Sequence, residues 1–121
     1  MSKPRILIAD DEEGIRESLN LILGETYDLA FARDGEETLN AAEANQFALI
    51  LLDVKMPKLD GLEVLKRLKA ADNRTPVVVL TAYQSVELAQ EAVKLGALNY
   101  LPKPFERDTV LLAVRGVLAM E

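Results

Sequence analysis

The chain has 121 residues and a formal net charge of −6, and it contains neither cysteine nor histidine. This composition excludes disulfide frameworks, thiolate or imidazole metal sites and histidine general bases within the chain, and the negative charge argues against direct contact with nucleic acid. Leu, Ile, Val and Phe make up about a third of the residues, enough for the core of one domain. The N-terminal apolar stretch is too short for a signal peptide or a membrane helix, so we expect a cytoplasmic protein without membrane contact.

Five short apolar runs alternate with segments of helical periodicity. The runs predict strands at residues 5–9, 27–32, 48–52, 77–80 and 99–101. Several runs are apolar at successive positions, which is typical of parallel strands covered on both faces. Apolar residues three or four positions apart predict helices through 15–22, 62–68 and 110–117.

The helical segments differ in how much apolar surface they offer. The segment 85–95 is the weakest amphipathic one. We expect it to turn inward these side chains: Val86, Ala89, Ala92 and Val93. Two helix starts are marked more strongly, because Asp34 with Glu37, and Asp60 with Glu63, resemble capping boxes.

The alternation predicts an α/β fold of the (βα)5 type, a five-stranded parallel sheet with helices on both faces. In such sheets the functional site lies beyond the carboxyl ends of the strands. Four of the five predicted strands carry polar residues at that edge. They are Asp10 and Asp11 after the first strand, Asp53 after the third, Thr81 after the fourth and Lys103 after the fifth.

Three carboxylates at one edge repel one another, by about 4 kcal/mol for a pair of charges about 4 Å apart at an effective dielectric near 20. Lys103 offsets one charge, and a divalent cation with oxygen ligands would offset two more, which favours Mg²⁺. Taken singly, Asp11 is also consistent with a helix N-cap and Asp53 with a turn residue. Their joint occurrence at one edge indicates a site.

Four segments surround these residues: RILIADDEEG, ILLDVKMPKLDGLEVL, VVVLTAY and GALNYLPKPF. In this order and spacing they resemble the receiver domain of two-component response regulators. The resemblance implies a single receiver domain over residues 1–121, with a flavodoxin-like fold and strand order 2-1-3-4-5. Two subtypes are most similar: single-domain regulators of the sporulation phosphorelay, and receivers fused to AAA+ transcription activators of the nitrogen-regulation type.

The resemblance also implies a metal site. Asp11, Asp53 and the backbone carbonyl of Lys55 would bind Mg²⁺, and Asp10 would hold a metal-bound water. The Lys103–Pro104 bond matches a cis peptide of the family.

Phosphoryl transfer is the implied chemistry. Asp53 would accept the phosphoryl group, while Lys103 and the Thr81 hydroxyl would contact its oxygens. Because the chain has no histidine, the donor would be a partner, either a sensor histidine kinase or a histidine phosphotransferase. Thr81 would then move toward the phosphoryl group and Tyr100 would turn inward.

The expected output is a changed surface formed by the fourth helix, fifth strand and fifth helix. This surface would signal to an effector domain or downstream protein, through transcription regulation, phosphate relay or a phosphorylation-dependent homodimer. Lys55 and Tyr83 are large residues flanking the approach to phosphorus, so we expect a long-lived acyl phosphate. The resemblance implies a self-phosphorylating signalling domain rather than an enzyme, with at most slow autodephosphorylation.

Three competing readings fit the residues less well. A flavin carrier of the same fold needs a hydroxyl- and glycine-rich loop after the first strand, where this chain has acidic residues. A phosphatase of the haloacid-dehalogenase type needs a second aspartate two positions after the nucleophile, where Lys55 stands. A degenerate receiver that serves only as a docking module would lack some of the polar residues at the sheet edge. All five are present here: Asp10, Asp11, Asp53, Thr81 and Lys103.

Overall fold

The computed structural model describes residues 3–82 and 86–119. Strands and helices alternate along them in this order: β1 (Arg5–Ala9), α1 (Glu13–Leu23), β2 (Asp28–Ala32), α2 (Gly35–Ala44), β3 (Leu49–Asp53), α3 (Gly61–Ala70), β4 (Val77–Ala82), α4 (Val86–Lys94), β5 (Asn99–Lys103) and α5 (Arg107–Ala119). All paired strands are parallel and the sheet order is β2-β1-β3-β4-β5. The predicted (βα)5 fold and strand order are confirmed.

Three strands reach further along the chain than the apolar runs suggested. β3 ends at Asp53, β4 includes Thr81 and β5 ends at Lys103. The predicted ends fall one or two residues short because a polar residue carries no apolar signal even when its backbone belongs to the sheet. In the sheet register, Asp53 is paired with Leu80 and Thr81 with Pro102. The sheet therefore fixes the backbone of these residues directly.

The sheet separates two apolar cores. One lies under α2, α3 and α4 and includes Leu7, Ile50, Leu52 and Val79, and the other lies under α1 and α5 and includes Ile6, Ile8, Leu51 and Leu80. Burial of each such side chain contributes about 1.5–3 kcal/mol. The central strands, β1, β3 and β4, are thus held firmly on both faces, and so are the residues at their ends.

The prediction of which α4 side chains turn inward is wrong in part. Ala89 and Ala92 are buried, but Val86 and Val93 are 58% and 47% exposed. The helix is rotated so that Leu88 and Leu95 pack against the core beside the two alanines. These four positions follow helical spacing, and the two leucines offer more apolar area than the two valines.

The predicted helix starts are confirmed. The Asp34 side chain accepts a hydrogen bond from the Glu37 amide at 2.9 Å, and the Asp60 side chain accepts one from the Glu63 amide at the same distance. None of the described helices has the length and apolar character needed to cross a membrane. The helices instead pack along the sheet and place their loops at its edges.

Candidate functional site

A lysine ammonium group lies among carboxylates at the carboxyl edge of the sheet. Lys103 Nζ lies 2.7 Å from Asp10 Oδ2 and 3.4 Å from Asp53 Oδ2. It also donates to Glu12 Oε1 at 3.4 Å. The Lys103 side chain is only 13% exposed, so water screens these contacts little.

The two buried aspartates are oriented by the backbone that follows them. The Glu12 amide donates to Asp10 Oδ1 at 2.9 Å, and the Lys55 amide donates to Asp53 Oδ1 at 3.2 Å. Arg16, on α1, donates to the Asp10 carbonyl oxygen at 2.8 Å. In each aspartate one oxygen is therefore fixed by the backbone, and the other faces the Lys103 ammonium.

The pKa values of all three central groups are shifted from their ordinary values. Burial and the nearby Asp10 charge raise the pKa of Asp53 to about 6, although the Lys103 ammonium opposes this shift. Burial likewise raises the pKa of Asp10 above its ordinary value, again against the effect of Lys103. Burial acts to lower the pKa of Lys103, but its contacts with Asp10 and Asp53 outweigh this and raise it. The positive charge of one ammonium group thus offsets the negative charge of the carboxylates only in part.

The residues at this edge fit a hard divalent cation. Four carboxylates each offer an oxygen within 4.8 Å of the others: Asp10, Asp11, Glu12 and Asp53. Asp10 is fully buried, and its Oδ2 lies 2.7 Å from the Lys103 ammonium, which Asp53 and Glu12 share. A donor set made only of oxygen, with excess negative charge, suits Mg²⁺.

The fold and this acidic edge agree with comparisons with known proteins. The family model described as "Response regulator receiver domain" matches residues 6–115. The chain belongs to the response regulator receiver family. Members of this family are signalling domains of two-component systems, which act with histidine kinases and effector domains and generally bind Mg²⁺ at the acidic pocket. The resemblance inferred from the motifs is confirmed.

Similar proteins include both short and long chains. Sporulation initiation phosphotransferase F of Bacillus subtilis is 38% identical over 122 residues, covering 100% of this chain and 98% of that protein. The uncharacterized transcriptional regulatory protein YkoG of the same organism is 43% identical over 119 residues, covering 98% of this chain but 52% of that protein. The receiver domain of Francisella response regulator 1452 superposes with a TM-score of 0.91 at 34% identity, covering 98% of both chains. The receiver domain thus spans about half of some relatives and nearly all of others.

The other predicted site residues are placed around this centre. Thr81 is buried on β4, the strand next to the one that carries Asp53. Tyr100 lies on β5 and is 44% exposed, outside the core. The Lys55 side chain is exposed beside Asp53, whereas Tyr83 lies outside the described residues. The Lys103–Pro104 peptide bond is cis, as the resemblance implied.

A cavity of about 300 Å³ opens at this edge of the receiver domain. Its lining residues are Asp11, Glu12, Asp53, Val54, Lys55, Leu88 and Lys103. Sequence reasoning missed Glu12 and Leu88. Glu12 could have been found as the next acidic residue in the run after β1, but nothing in the sequence pointed to Leu88, which reaches the cavity through the rotation of α4.

Gly61 lies directly behind the end of β3, the strand that carries Asp53. A Cβ at this position would overlap the carbonyl oxygen of Asp53, and the Gly61 amide donates to the Val54 carbonyl at 2.7 Å. The first turn of α3 can therefore approach the end of β3 only if residue 61 has no side chain.

Gly61→Ala is expected to lower the free energy of unfolding by about 1–3 kcal/mol, because the backbone must shift to admit the methyl group. Gly116→Ala is the matched control, since a Cβ at that position in α5 meets no atom of the described residues within 4 Å outside the adjoining helix backbone. It is expected to stabilise by up to about 1 kcal/mol through helix propensity. Urea denaturation measures both changes. If Gly61→Ala stabilised the protein as Gly116→Ala does, this would contradict the close approach of α3 to the end of β3.

Proposed function

We propose that this receiver domain accepts a phosphoryl group on Asp53 from a phosphohistidine of a partner, either a sensor histidine kinase or a histidine phosphotransferase. The observation that carries the proposal is the placement of Lys103 Nζ within 3.4 Å of Asp53 Oδ2, in a cluster of carboxylates that can also bind a divalent cation. Such a centre supplies a nucleophile and positive charge for phosphoryl oxygens.

The proposed step is a phosphoryl transfer between two proteins. A carboxylate oxygen of Asp53 bonds to phosphorus, the P–N bond to the partner's imidazole breaks, and the imidazole leaves with the electron pair. Lys103 contacts one phosphoryl oxygen and the Thr81 hydroxyl donates to another. These groups position the phosphoryl group and balance its charge, as is typical of phosphoryl transfer.

Asp11, Asp53 and the Lys55 carbonyl would hold Mg²⁺ in this proposal, and Asp10 would orient a metal-bound water. When bound, Mg²⁺ neutralises negative charge on the carboxylates and the phosphoryl oxygens. The excess of carboxylate groups over the single ammonium group at this edge supports this assignment. A water's share of liquid volume is about 30 Å³, so a cavity of about 300 Å³ has room for a phosphoryl group and a hydrated ion.

The output surface is proposed to be the face formed by α4, β5 and α5. Several apolar side chains are exposed on these elements or beside them: Val86, Val93, Leu98, Tyr100 and Leu112. Thr81 and Tyr100 would couple this face to Asp53, because they lie on neighbouring strands β4 and β5. The face would contact an effector domain, a downstream protein or a second copy in a phosphorylation-dependent homodimer.

Incubation with Mg²⁺ and a small phosphodonor such as acetyl phosphate is expected to add one phosphoryl mass to the intact chain. Asp53→Asn removes the nucleophile and is expected to abolish the added mass, as is chelation of the metal before the donor is added. Intact-mass spectrometry measures the product, and hydroxylamine should remove it, because an acyl phosphate is labile to this reagent. Phosphorylation of the Asp53→Asn variant at the normal rate would refute the assignment of the acceptor.

A further inference from the structure

Leu88 brings an apolar side chain to the phosphorylation cavity. It lies in the first turn of α4 and lines the same cavity as Asp53, Lys55 and Lys103. Its side chain is partly buried and packs against the core under α4. Apart from Val54, the other residues known to line the cavity are charged. Leu88 therefore determines how polar this part of the cavity wall is.

Leu88 is also the largest apolar side chain that α4 packs against this core. The fully buried residues of this helix are two alanines, Ala89 and Ala92, which fill little volume. A leucine at the cavity wall has no donor or acceptor that could hold a water molecule beside phosphorus. Ordered waters require polar partners, so this part of the wall would not hold an attacking water.

We propose that Leu88 is a water-excluding residue that prolongs the life of the Asp53 acyl phosphate; this inference rests on the proposed function. In the competing hydrolysis, a water oxygen bonds to phosphorus and the bond from phosphorus to the Asp53 oxygen breaks. The carboxylate leaves with the electron pair, and the water's proton passes to the phosphate or to solvent. Leu88 slows this reaction because its side chain offers no hydrogen bond that would hold a water molecule beside phosphorus. It does not take part in the proton transfer.

The decay of the acyl phosphate tests this role. The chain is phosphorylated with acetyl phosphate and Mg²⁺, the donor is removed by desalting, and the remaining phosphoryl mass is followed over time. Leu88→Asn places hydrogen-bonding groups at the wall, and decay is expected to accelerate about tenfold, which corresponds to roughly 1.4 kcal/mol of barrier. Leu88→Met keeps an apolar wall and is expected to decay at the wild-type rate.

A second pair of variants separates water exclusion from loosening of the helix. Leu88→Ala removes most of the side chain at the wall and is expected to accelerate decay. If circular dichroism shows that Leu88→Asn is unfolded, the decay rate of Leu88→Ala tests the inference in its place. Ala89→Gly weakens the same turn of α4 without changing the residues that line the cavity, and it is expected to leave decay unchanged.

Three results would overturn the inference. Decay at the wild-type rate in folded Leu88→Asn and Leu88→Ala would show that Leu88 does not exclude the attacking water. Equal acceleration by Ala89→Gly would assign the effect to loosening of α4. A wild-type chain that never gains phosphoryl mass would refute the proposed function itself, and this failure is distinguishable because no decay could then be measured.

Discussion

Replacement of Lys103 by methionine is expected to slow phosphoryl transfer to Asp53 by about 10²–10³-fold, the cost typical of removing one preorganised charge-stabilising group. The Lys103 ammonium lies 3.4 Å from Asp53 Oδ2 and is largely shielded from solvent. Water therefore cannot readily replace it as a partner for phosphoryl oxygens. Its loss also leaves Asp10 and Asp53 without their common counter-charge, which disfavours the ionised nucleophile.

The rate is measured as the initial gain of phosphoryl mass with saturating donor and Mg²⁺ at about pH 8, where the Asp53 carboxyl is ionised. Lys66→Met is the matched control, because Lys66 is exposed on α3 and the substitution makes the same change in net charge. A Lys103→Met rate close to that of Lys66→Met would show that the ammonium does not act on the transferred group.

Asp53→Asn is expected to stabilise the metal-free receiver domain by about 3 kcal/mol at neutral pH. Burial and the Asp10 charge raise the folded-state pKa of Asp53 from the ordinary 3.8 to about 6, and each pKa unit corresponds to about 1.4 kcal/mol. The folded protein therefore binds this proton more tightly than the unfolded chain. Its stability falls as pH rises between these two values, and an amide at this position avoids that loss.

The pH dependence distinguishes this cause from a general effect of the substitution. The gain in the free energy of unfolding should be complete above about pH 7 and should shrink below about 1 kcal/mol by pH 4, where the native carboxyl is protonated. Urea denaturation in the presence of a chelator measures it. Glu17→Gln makes the same carboxyl-to-amide change at an exposed site within α1 and should change stability by less than about 0.5 kcal/mol. A gain for Asp53→Asn that is equal at both pH values would contradict the assignment to burial of charge.

The fold class and the edge at which chemistry is proposed could be predicted from sequence because both depend on local signals. Apolar runs predicted the parallel strands, and polar residues directly after those runs marked the carboxyl edge of the sheet. Asp34 and Asp60 were recognisable as helix caps for the same reason, since each contacts an amide only three residues away.

The sequence by itself therefore determined which polar side chains lie at one edge, but their partners were decided only by tertiary structure. The contact between Lys103 and Glu12 joins residues 91 positions apart, and no local pattern predicts such a distance. The same holds for α4, where Leu88 rather than Val86 turns inward because the helix is rotated to fit a larger side chain into the core. Packing between distant elements sets such contacts, because the volume and charge that each side chain meets come from other parts of the chain.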